Sequence, residues 1–395
     1  MISLHTPIKT AFIFGTRPEA IKLVPLIRRM RQMPESFQPL TIVTAQHREM
    51  LDQVLDLFSI TPEYDIGIIR PRQTLAEIMA NAVRGLDTIL ANEKPDFVVV
   101  QGDTSTTFAG ALAAFYHKIS VAHVEAGLRT QNRYNPFPEE INRRLTTVVT
   151  DIHFAPTATA VDNLRVEGVA PERIWLTGNT VIDALKDVVS WNRPCHHPVI
   201  QQIAAENRRM LFVTSHRRES QGEPQVRICK AILQLVQMHP DIVVVFPVHL
   251  SPAVRDTVMP LLADRERILL LDPVDYFETV HFMKNAYLIL TDSGGIQEEA
   301  PGLGKPVLVL RDTTERPEGI AAGTAKLVGT DMSRIVEEAT RLLSCPEAYR
   351  RMSEAVNPYG DGQACRRIIQ ALNHVAGRAD SPLPFDAAAA AHHNE

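Results

Sequence analysis

The sequence predicts an α/β protein with two domains, each built on a parallel β-sheet. Short apolar runs recur along the chain and alternate with segments in which apolar residues have helical spacing, such as Leu23, Val24 and Ile27. This alternation is typical of parallel sheets that are covered by helices on both faces. The length of 395 residues exceeds what one hydrophobic core usually serves, so we expect two domains.

Ten near-continuous apolar runs are predicted to be central parallel strands. They span residues 10–15, 40–45, 96–102, 121–126, 173–178, 210–215, 241–247, 268–273, 287–292 and 306–311. A polar, proline-containing segment, residues 190–209, separates them into two series and places a linker near residues 180–208. We expect the low-complexity end of the chain, residues 378–395, to be a disordered tail.

The composition argues against several classes of function. The 41 Lys and Arg against 46 Asp and Glu give a formal charge of -5, so no overall basic field favours nucleic acid or an anionic membrane. No apolar window is long enough for a membrane span, and the first residues do not resemble a signal peptide, so we expect a cytoplasmic protein. The four cysteines form no CxxC pair, which predicts reduced, buried thiols and no zinc site.

Charged residues follow the first predicted strand, where ligands bind in open parallel sheets. Thr16 and Glu19 fit a capping box, which leaves Arg17 at the start of a helix and Lys22 about one turn further on. A guanidinium group beside free helix amides suits a phosphate. Alternatively, Arg17 is an ordinary surface residue of the first turn.

Acidic residues follow the next strands of the first series. Asp103 and Glu125 come after successive strands, and Glu139 and Glu140 stand behind Pro138. A single acid at such a place commonly caps a helix or complements its dipole. Two acids at successive strand ends favour a functional site. Glu139 could either complement the helix dipole or act as a catalytic acid.

The second series carries the features of a nucleotide site. His216 follows a strand and could act as an acid, a base or a phosphate ligand, or be structural. The amides of residues 293–295 open a helix and suit a pyrophosphate, while Glu299 could accept from sugar hydroxyls. No Walker loop and no GxGxxG motif is found, which counts against a tightly held nicotinamide cofactor.

Taken together, these motifs resemble the non-hydrolysing UDP-N-acetylglucosamine 2-epimerase family, bacterial enzymes that interconvert UDP-N-acetylglucosamine and UDP-N-acetylmannosamine. The resemblance runs from about residue 10 to about residue 375. It rests on "FGTRPEAIK", "TAQHREMLDQVL", "GDTSTT", "HVEAGLRT", "PFPEEINRRL", "HRRES", "TDSGGIQEEAP", "LGKPVLVLRDTTERPE" and "NPYGDGQA".

The resemblance implies a fold and a reaction. The fold is two Rossmann-like domains whose parallel sheets face a central cleft, as in B-type glycosyltransferases, with residues 1–180 plus 362–377 in the first domain and 181–361 in the second. The reaction eliminates UDP to give a 2-acetamidoglucal and adds it back, without a redox cofactor or an obligatory metal. A homodimer and a product used for surface polysaccharide or cell-wall synthesis are the family expectations.

The resemblance also implies roles for single residues. Asp103, Glu125 and Glu139 would handle protons or orient the sugar, and His216 and Arg17 would lie at the departing phosphates. Further substrate contacts are implied at Lys22, Val274, Thr279, Ser293, Gly294, Gly295, Glu299 and Arg316. A second, regulatory site for UDP-N-acetylglucosamine is implied at Gln46, His47, Arg217 and His249, which could instead form hydrogen bonds across a closing cleft.

The sequence departs from the family pattern at three places, and other functions remain open. Phe277 and Thr279 stand where an aromatic near the uracil is common, and Arg72 and Ser215 stand where glycine is common. We expect these departures to alter affinity rather than the reaction. The alternatives are a hydrolysing relative, an epimerase of another 2-acetamido sugar, a B-type glycosyltransferase, and a nucleotide-sugar sensor without turnover.

Overall fold

The protein forms two compact units, each with its own parallel sheet. A computed structural model describes residues 6–45, 48–70, 73–191 and 193–387. Within these ranges, unit 1 comprises residues of Met1–Ala184 and Tyr359–Asp386, and unit 2 residues of Leu185–Pro358 and Ala387–Glu395. None of the helices in these ranges combines the length and the hydropathy of a membrane span.

Unit 1 contains a seven-stranded parallel sheet in the order β3-β2-β1-β4-β5-β6-β7. The strand order reverses between β1 and β4, and this switch point is where open α/β sheets bind ligands. The elements are β1 (Ile8–Phe14), α1 (Arg17–Arg31), β2 (Phe37–Val43), α2 (Arg48–Leu57), β3 (Tyr64–Asp65), α3 (Leu75–Glu93), β4 (Phe97–Gln101), α4 (Ser105–Tyr116), β5 (Ser120–Val124), α5 (Glu139–Val149), β6 (Ile152–Ala155), α6 (Ala158–Val166), β7 (Ile174–Leu176) and α7 (Thr180–Ser190).

Unit 2 contains a six-stranded parallel sheet in the order β10-β9-β8-β11-β12-β13. The order reverses between β8 and β11, so this unit has a switch point of the same kind. The elements are α8 (Pro198–Glu206), β8 (Arg209–Thr214), α9 (Glu223–Met238), β9 (Ile242–Pro247), α10 (Pro252–Leu262), β10 (Ile268–Leu271), α11 (Tyr276–Asn285), β11 (Leu288–Thr291), α12 (Gly294–Glu299), β12 (Val307–Val309), α13 (Pro317–Ala321), β13 (Ala325–Leu327), α14 (Met332–Ser344), α15 (Pro346–Ser353) and, returning to unit 1, α16 (Ala364–Val375).

The central strands form because their side chains are apolar on both faces. All five residues of β4 are buried, as are the first five of β9, and helices pack against both sheets. Helix starts follow the capping rules: at α3, Thr74 accepts from the N–H of Glu77, whose carboxylate accepts from the N–H of Thr74. The predicted fold class is thus confirmed for each unit.

All ten predicted strands are confirmed, and three further strands were missed. The missed strands are β3, β6 and β13, which have two, four and three residues. Strands β7 and β12 are equally short but lie within longer apolar runs, whereas each missed strand contains a polar residue, Asp65, His153 or Lys326, that interrupts its apolar pattern. The expectation for the cysteines holds for Cys229 and Cys365, which are buried, but is wrong for Cys195 and Cys345, which are partly exposed.

The tail and the linker differ from the expectation. Residues 378–386 are not a disordered tail: Phe385 is buried and its N–H donates to the carbonyl of Leu176 at 2.8 Å. One aromatic anchor therefore fixes a segment whose average composition is typical of disorder, while residues 388–395 lie outside the described residues. The boundary between the units falls inside α7, so the predicted linker is partly helical.

Candidate active site

The site of unit 1 lies at the carboxyl ends of three neighbouring strands. Arg17 is the first residue of α1, Asp103 stands two residues after β4, and Glu125 directly follows β5. Because β1 pairs with β4 and β4 pairs with β5 in parallel, these ends meet at one edge of the sheet. The structure thus brings the loops of the predicted residues together.

Glu19 ties two of these loops to each other. Its carboxylate is buried and accepts from the N–H of Thr16 at 2.8 Å and of Gly15 at 3.1 Å, which confirms its part in the predicted capping box. It also accepts from the hydroxyls of Thr104 at 2.7 Å and Thr107 at 3.1 Å, after β4. Burial raises the pKa of Glu19, and these hydrogen bonds oppose the rise.

Glu125 is held in an unusual conformation by three side chains. Its φ of 65° lies in the left-handed region, where a residue other than glycine is strained. The buried carboxylate forms an ion pair with Lys22 and accepts from the amides of Gln101 and, at 3.2 Å, Asn179. Lys22, expected near phosphates, therefore contacts an acid of the predicted site.

The side chain of Asp103 is held by α5. Arg143, which the sequence analysis missed, is buried and donates to the carboxylate of Asp103, while its other terminal nitrogen lies 3.2 Å from Glu140. Asn142 donates to the backbone carbonyl of Asp103 at 3.0 Å. Glu140 is buried and structural, whereas Glu139 is only partly buried at the first position of the helix. The spacing of Glu140 and Arg143 in "EINRR" was the available signal.

In unit 2, His216 and Asp292 form a pair at the switch point. His216 lies two residues after β8, and Asp292 directly follows β11. Nδ1 of His216 lies 3.2 Å from a carboxylate oxygen of Asp292. Burial would raise the pKa of Asp292, but the adjacent His216 and two backbone N–H groups lower it below its ordinary value. The ring of His249 stacks on His216 with centroids 5.8 Å apart.

Two guanidinium groups converge on the backbone of Gly294. A Cβ atom built at Gly294 would lie 3.5 Å from Cζ of Arg316 and 3.7 Å from a terminal nitrogen of Arg217. Arg316 donates its Nε–H to the buried Glu298 at 2.7 Å. Within the described ranges, Nε of Arg217 is buried and has no hydrogen-bond partner. Two cations thus lie beside Gly294 at the start of α12, an arrangement that suits an anion.

The loop that carries Arg316 is fixed by its own side chains. Arg311 is buried and forms a two-point contact with Glu315, at 2.7 and 3.1 Å, and reaches Glu219 at 3.1 Å. Burial alone would raise the pKa of Glu315, but the ion pair with Arg311 lowers this pKa to about 2. Thr314 donates to Gln297 at 2.7 Å. These contacts hold the part of the loop that directly precedes Arg316.

Glu299 is oriented by a tyrosine that the sequence analysis did not single out. The buried hydroxyl of Tyr276 donates to one oxygen of Glu299 at 2.6 Å, and the other oxygen lies 3.6 Å from the Cβ position of Gly295. Burial raises the pKa of the Tyr276 hydroxyl, and the adjacent carboxylate of Glu299 raises it further. The hydroxyl of Thr279 donates to the carbonyl of Asp275 at 2.7 Å, so a backbone group already engages it.

The other residues named from the sequence lie as follows. Val274 is partly buried just before α11, and Phe277 stacks on Trp191 with centroids 6.3 Å apart. Nδ1 of His249 accepts from the N–H of Ser251 at 3.1 Å. Gln46 and His47 of the predicted regulatory site lie outside the described residues, as does Arg72.

Comparison with known proteins agrees with the sequence motifs. The profile of the UDP-N-acetylglucosamine 2-epimerase family matches residues 29–373. The UDP-N-acetylglucosamine 2-epimerase of Bacillus subtilis is 52% identical over 379 residues, which cover 96% of this chain and 98% of that protein.

Solved structures show the same fold. The UDP-GlcNAc 2-epimerase of Neisseria meningitidis bound to UDP-GlcNAc superposes with a TM-score of 0.86 at 47% identity, covering 93% of this chain and 100% of that one. The glycotransferase of kitacinnamycin, at 11% identity, shares the fold with a TM-score of 0.63 and covers 93% of this chain and 99% of that one. The chain therefore belongs to the UDP-N-acetylglucosamine 2-epimerase family and is an isomerase of the epimerase class.

Proposed function

We propose that the protein interconverts UDP-N-acetylglucosamine and UDP-N-acetylmannosamine by inverting the configuration at C2 of the sugar. Family membership supports this substrate, and the Neisseria relative binds UDP-GlcNAc. The observation that carries the proposal is the pair of acids at neighbouring strand ends, Asp103 and Glu125, each held by a cationic side chain. Such acids at a switch point suit proton transfer.

The chemistry follows from the substrate. The C2 proton is not next to a carbonyl group, so its removal needs a leaving group at C1. A base takes the C2 proton, a double bond forms between C1 and C2, and the C1–O bond breaks with its electron pair going to UDP. Addition of the proton to the opposite face of C2 and of UDP to C1 restores the link without any net oxidation.

We assign the proton steps to unit 1. Asp103, Glu125 and Glu139 are the acids that would take and return the C2 proton or orient the sugar, and Arg17 would approach the phosphates. The strained backbone at Glu125 supports a functional role, because such strain persists where the surrounding structure holds it. Lys22 would then position Glu125.

We assign the UDP group to unit 2. Arg316 and Arg217 would bind the diphosphate beside residues 293–295, and His216 would lie at the departing oxygen. Glu299, with one oxygen already bonded to Tyr276, would accept from a ribose hydroxyl through the other. Val274 and Thr279 would contribute to the uridine side of this site.

The experiment that tests this proposal is proton NMR of the purified protein with UDP-N-acetylglucosamine in heavy water. The expected result is UDP-N-acetylmannosamine with deuterium at C2, without an added cofactor. The variants Asp103→Asn, Glu125→Gln and Glu139→Gln then enter the same assay, with Asp162→Asn, an exposed residue of α6, as the matched control. A proposed acid whose variant retains full C2 exchange loses its assignment.

The other outcomes identify the alternatives. Free N-acetylmannosamine with UDP would make the protein a hydrolysing enzyme. Binding without any product would favour a nucleotide-sugar sensor, and no binding would favour another 2-acetamido sugar. Any of these results would contradict the proposed reaction.

We further propose the assembly and regulation that the family resemblance implies. The protein would be a cytoplasmic homodimer that supplies polysaccharide or cell-wall synthesis, and UDP-N-acetylglucosamine would activate it at a second site that includes Arg217 and His249. Sedimentation of the full chain tests the dimer. A sigmoidal dependence of the reverse rate on added UDP-N-acetylglucosamine would support the second site, and a hyperbolic one would contradict it.

A further inference from the structure

Asp292 is buried and ionised beside His216, and neither the motifs nor the proposed reaction gives it a role. The two residues follow β8 and β11, which are paired strands at the switch point of unit 2. A buried carboxylate is costly unless its oxygens are hydrogen-bonded, so the partners of each oxygen show what it does.

The two oxygens of Asp292 have different partners. Oδ2 accepts from the backbone N–H of His216 at 2.8 Å and of Arg217 at 2.9 Å, and the hydroxyl of Ser215 lies 3.2 Å away. Oδ1 faces the ring of His216, with Nδ1 at 3.2 Å. Oδ2 therefore holds the loop after β8, and Oδ1 contacts the imidazole.

The charge at Oδ1 favours one tautomer of the imidazole. Among the described residues Oδ1 has no hydrogen-bond partner, so it acts through charge: the carboxylate oxygen 3.2 Å away would repel a lone pair on Nδ1 of His216 and attracts a proton there. In the neutral ring the lone pair then lies on Nε2. When Nε2 gains a proton, Asp292 remains in place as the counter-ion of the imidazolium.

We propose that Asp292 is a positioning residue: it keeps the remaining proton of His216 on Nδ1 after the imidazolium has given its Nε2 proton to the departing diphosphate, so that Nε2 can take this proton back when UDP adds again. This inference rests on the proposed function for its chemical step. The tautomer itself depends only on the geometry of unit 2, so the two can be tested separately.

The variant Asp292→Asn separates positioning from loop support. The two backbone N–H donors at Oδ2 require an acceptor, so the amide oxygen of the new side chain must take that place. The amide NH₂ then replaces Oδ1 and donates to Nδ1, which moves the ring proton to Nε2. The size and the loop contacts are kept, while the tautomer is reversed.

The first measurement is NMR of the full chain with isotope-labelled histidine, in wild type, Asp292→Asn and Asp331→Asn. The signals of His216 are identified by their loss in His216→Gln. We expect an Nδ1–H signature in wild type, an Nε2–H signature in Asp292→Asn and no change in Asp331→Asn, whose aspartate caps α14 in the same unit. An unchanged His216 tautomer in Asp292→Asn would overturn the inference.

The second measurement is the steady-state rate of epimerisation. We expect Asp292→Asn to lower kcat about 100-fold, with KM changed less than about threefold, as for the loss of one acid–base step. In a His216→Gln background the same substitution should lower kcat less than about twofold, because its partner is already absent. If the fold-losses in kcat of the two single variants multiplied in the double variant, Asp292 would act independently of His216, and the inference would be overturned. Inactivity of the wild-type protein would contradict the proposed function and leave the tautomer result standing.

Discussion

At the scale of single residues, the candidate site is marked by buried charged groups, which the apolar interior of a protein normally excludes. Glu125 is buried, has a left-handed backbone and is paired with Lys22. A pair of this kind adds little net stability, because removing both charges from water costs about as much as their attraction returns. Its position at a strand end therefore indicates function rather than stability.

We predict that Glu125→Gln lowers both activity and stability, and that the two effects can be separated. The exchange of the C2 proton should fall by about 100-fold or more. The free energy of unfolding should fall by about 3 kcal/mol, because the ammonium of Lys22 loses this carboxylate in a buried place. The double variant Lys22→Met with Glu125→Gln should regain most of the stability and none of the exchange.

The measurements are urea unfolding and deuterium incorporation by NMR. Glu63→Gln is the matched control: it removes the charge of a partly exposed pair with Arg31, while its amide oxygen can still accept from the N–H of Thr41, so it should cost less than about 1 kcal/mol. Recovery of exchange in the double variant would count against Glu125 as an acid of the reaction.

Two buried histidines give unit 1 a defined sensitivity to acid. His123 and His153 are neighbours on β5 and β6, and burial lowers the pKa of His123 to about 4 and that of His153 to about 3. Both groups protonate more readily in the unfolded chain. Their contribution to stability is therefore complete above the unfolded pKa of roughly 6.5 and is lost as the pH falls toward 4.

We predict that His123→Gln flattens this dependence. The glutamine amide can still donate to the carbonyl of Gly102, which His123 contacts at 2.7 Å, but it does not titrate. The loss of unfolding free energy between about pH 7 and about pH 5 should be about 2 kcal/mol smaller than in wild type. His374→Gln, at an exposed position of α16, should leave the dependence unchanged; an equal change in both variants would contradict this account.

At the scale of elements, one helix organises the acids of unit 1. The first turn of α5 carries Glu139, and its next residues reach back to the loop after β4: Asn142 contacts the backbone of Asp103, and Arg143 its carboxylate. The guanidinium of Arg143 also contacts Glu140, so it spans two acids with its planar fork. The helix thereby sets the direction of the Asp103 side chain.

We predict that Arg143→Lys lowers kcat by about tenfold, because a single ammonium cannot hold both carboxylates in the same geometry. Arg144→Lys is the matched control, since Arg144 also pairs with Glu140 at 3.1 Å but lies further out on α5. It should retain kcat within about twofold of wild type. The check is the steady-state rate with both variants at matched folded fractions. Equal losses in the two variants would show that charge near Glu140, not the hold on Asp103, matters.

At this scale, the sequence predicts the strands and the residues at their ends better than the contacts between side chains. Every long strand has an apolar run of its own, and residues that follow a strand end are predictable because parallel strands place them at one edge. The side-chain pairs were missed because their partners are distant in sequence: Arg143 and Asp103 are 40 residues apart, and His216 and Asp292 are 76 apart. Unless the order and register of the strands are known, the sequence does not show that the two residues of such a pair are in contact.

At the scale of the whole molecule, each unit is a doubly wound sheet, and the chain returns to unit 1 at its end. Asp183, on α7, is buried and accepts from the N–H groups of Ala364 and Cys365, at 3.1 and 3.0 Å. It thus caps the N-terminus of α16 from another element, where Gln363 provides no side-chain cap. Burial raises the pKa of Asp183, and the amides oppose the rise.

We predict that Asp183→Ala destabilises unit 1 by about 2 kcal/mol and leaves unit 2 unaffected, because two buried N–H groups lose their acceptor. The two tryptophans report on the units separately, since Trp175 lies on β7 in unit 1 and Trp191 in unit 2. In single-tryptophan variants made by Trp→Phe, the urea midpoint of Trp175 fluorescence should fall and that of Trp191 should not. Asp162→Ala, which removes an exposed carboxylate of α6, should move neither midpoint. Equal shifts at both tryptophans would mean that the chain unfolds as one cooperative unit, and the cap would then stabilise the whole molecule rather than unit 1 alone.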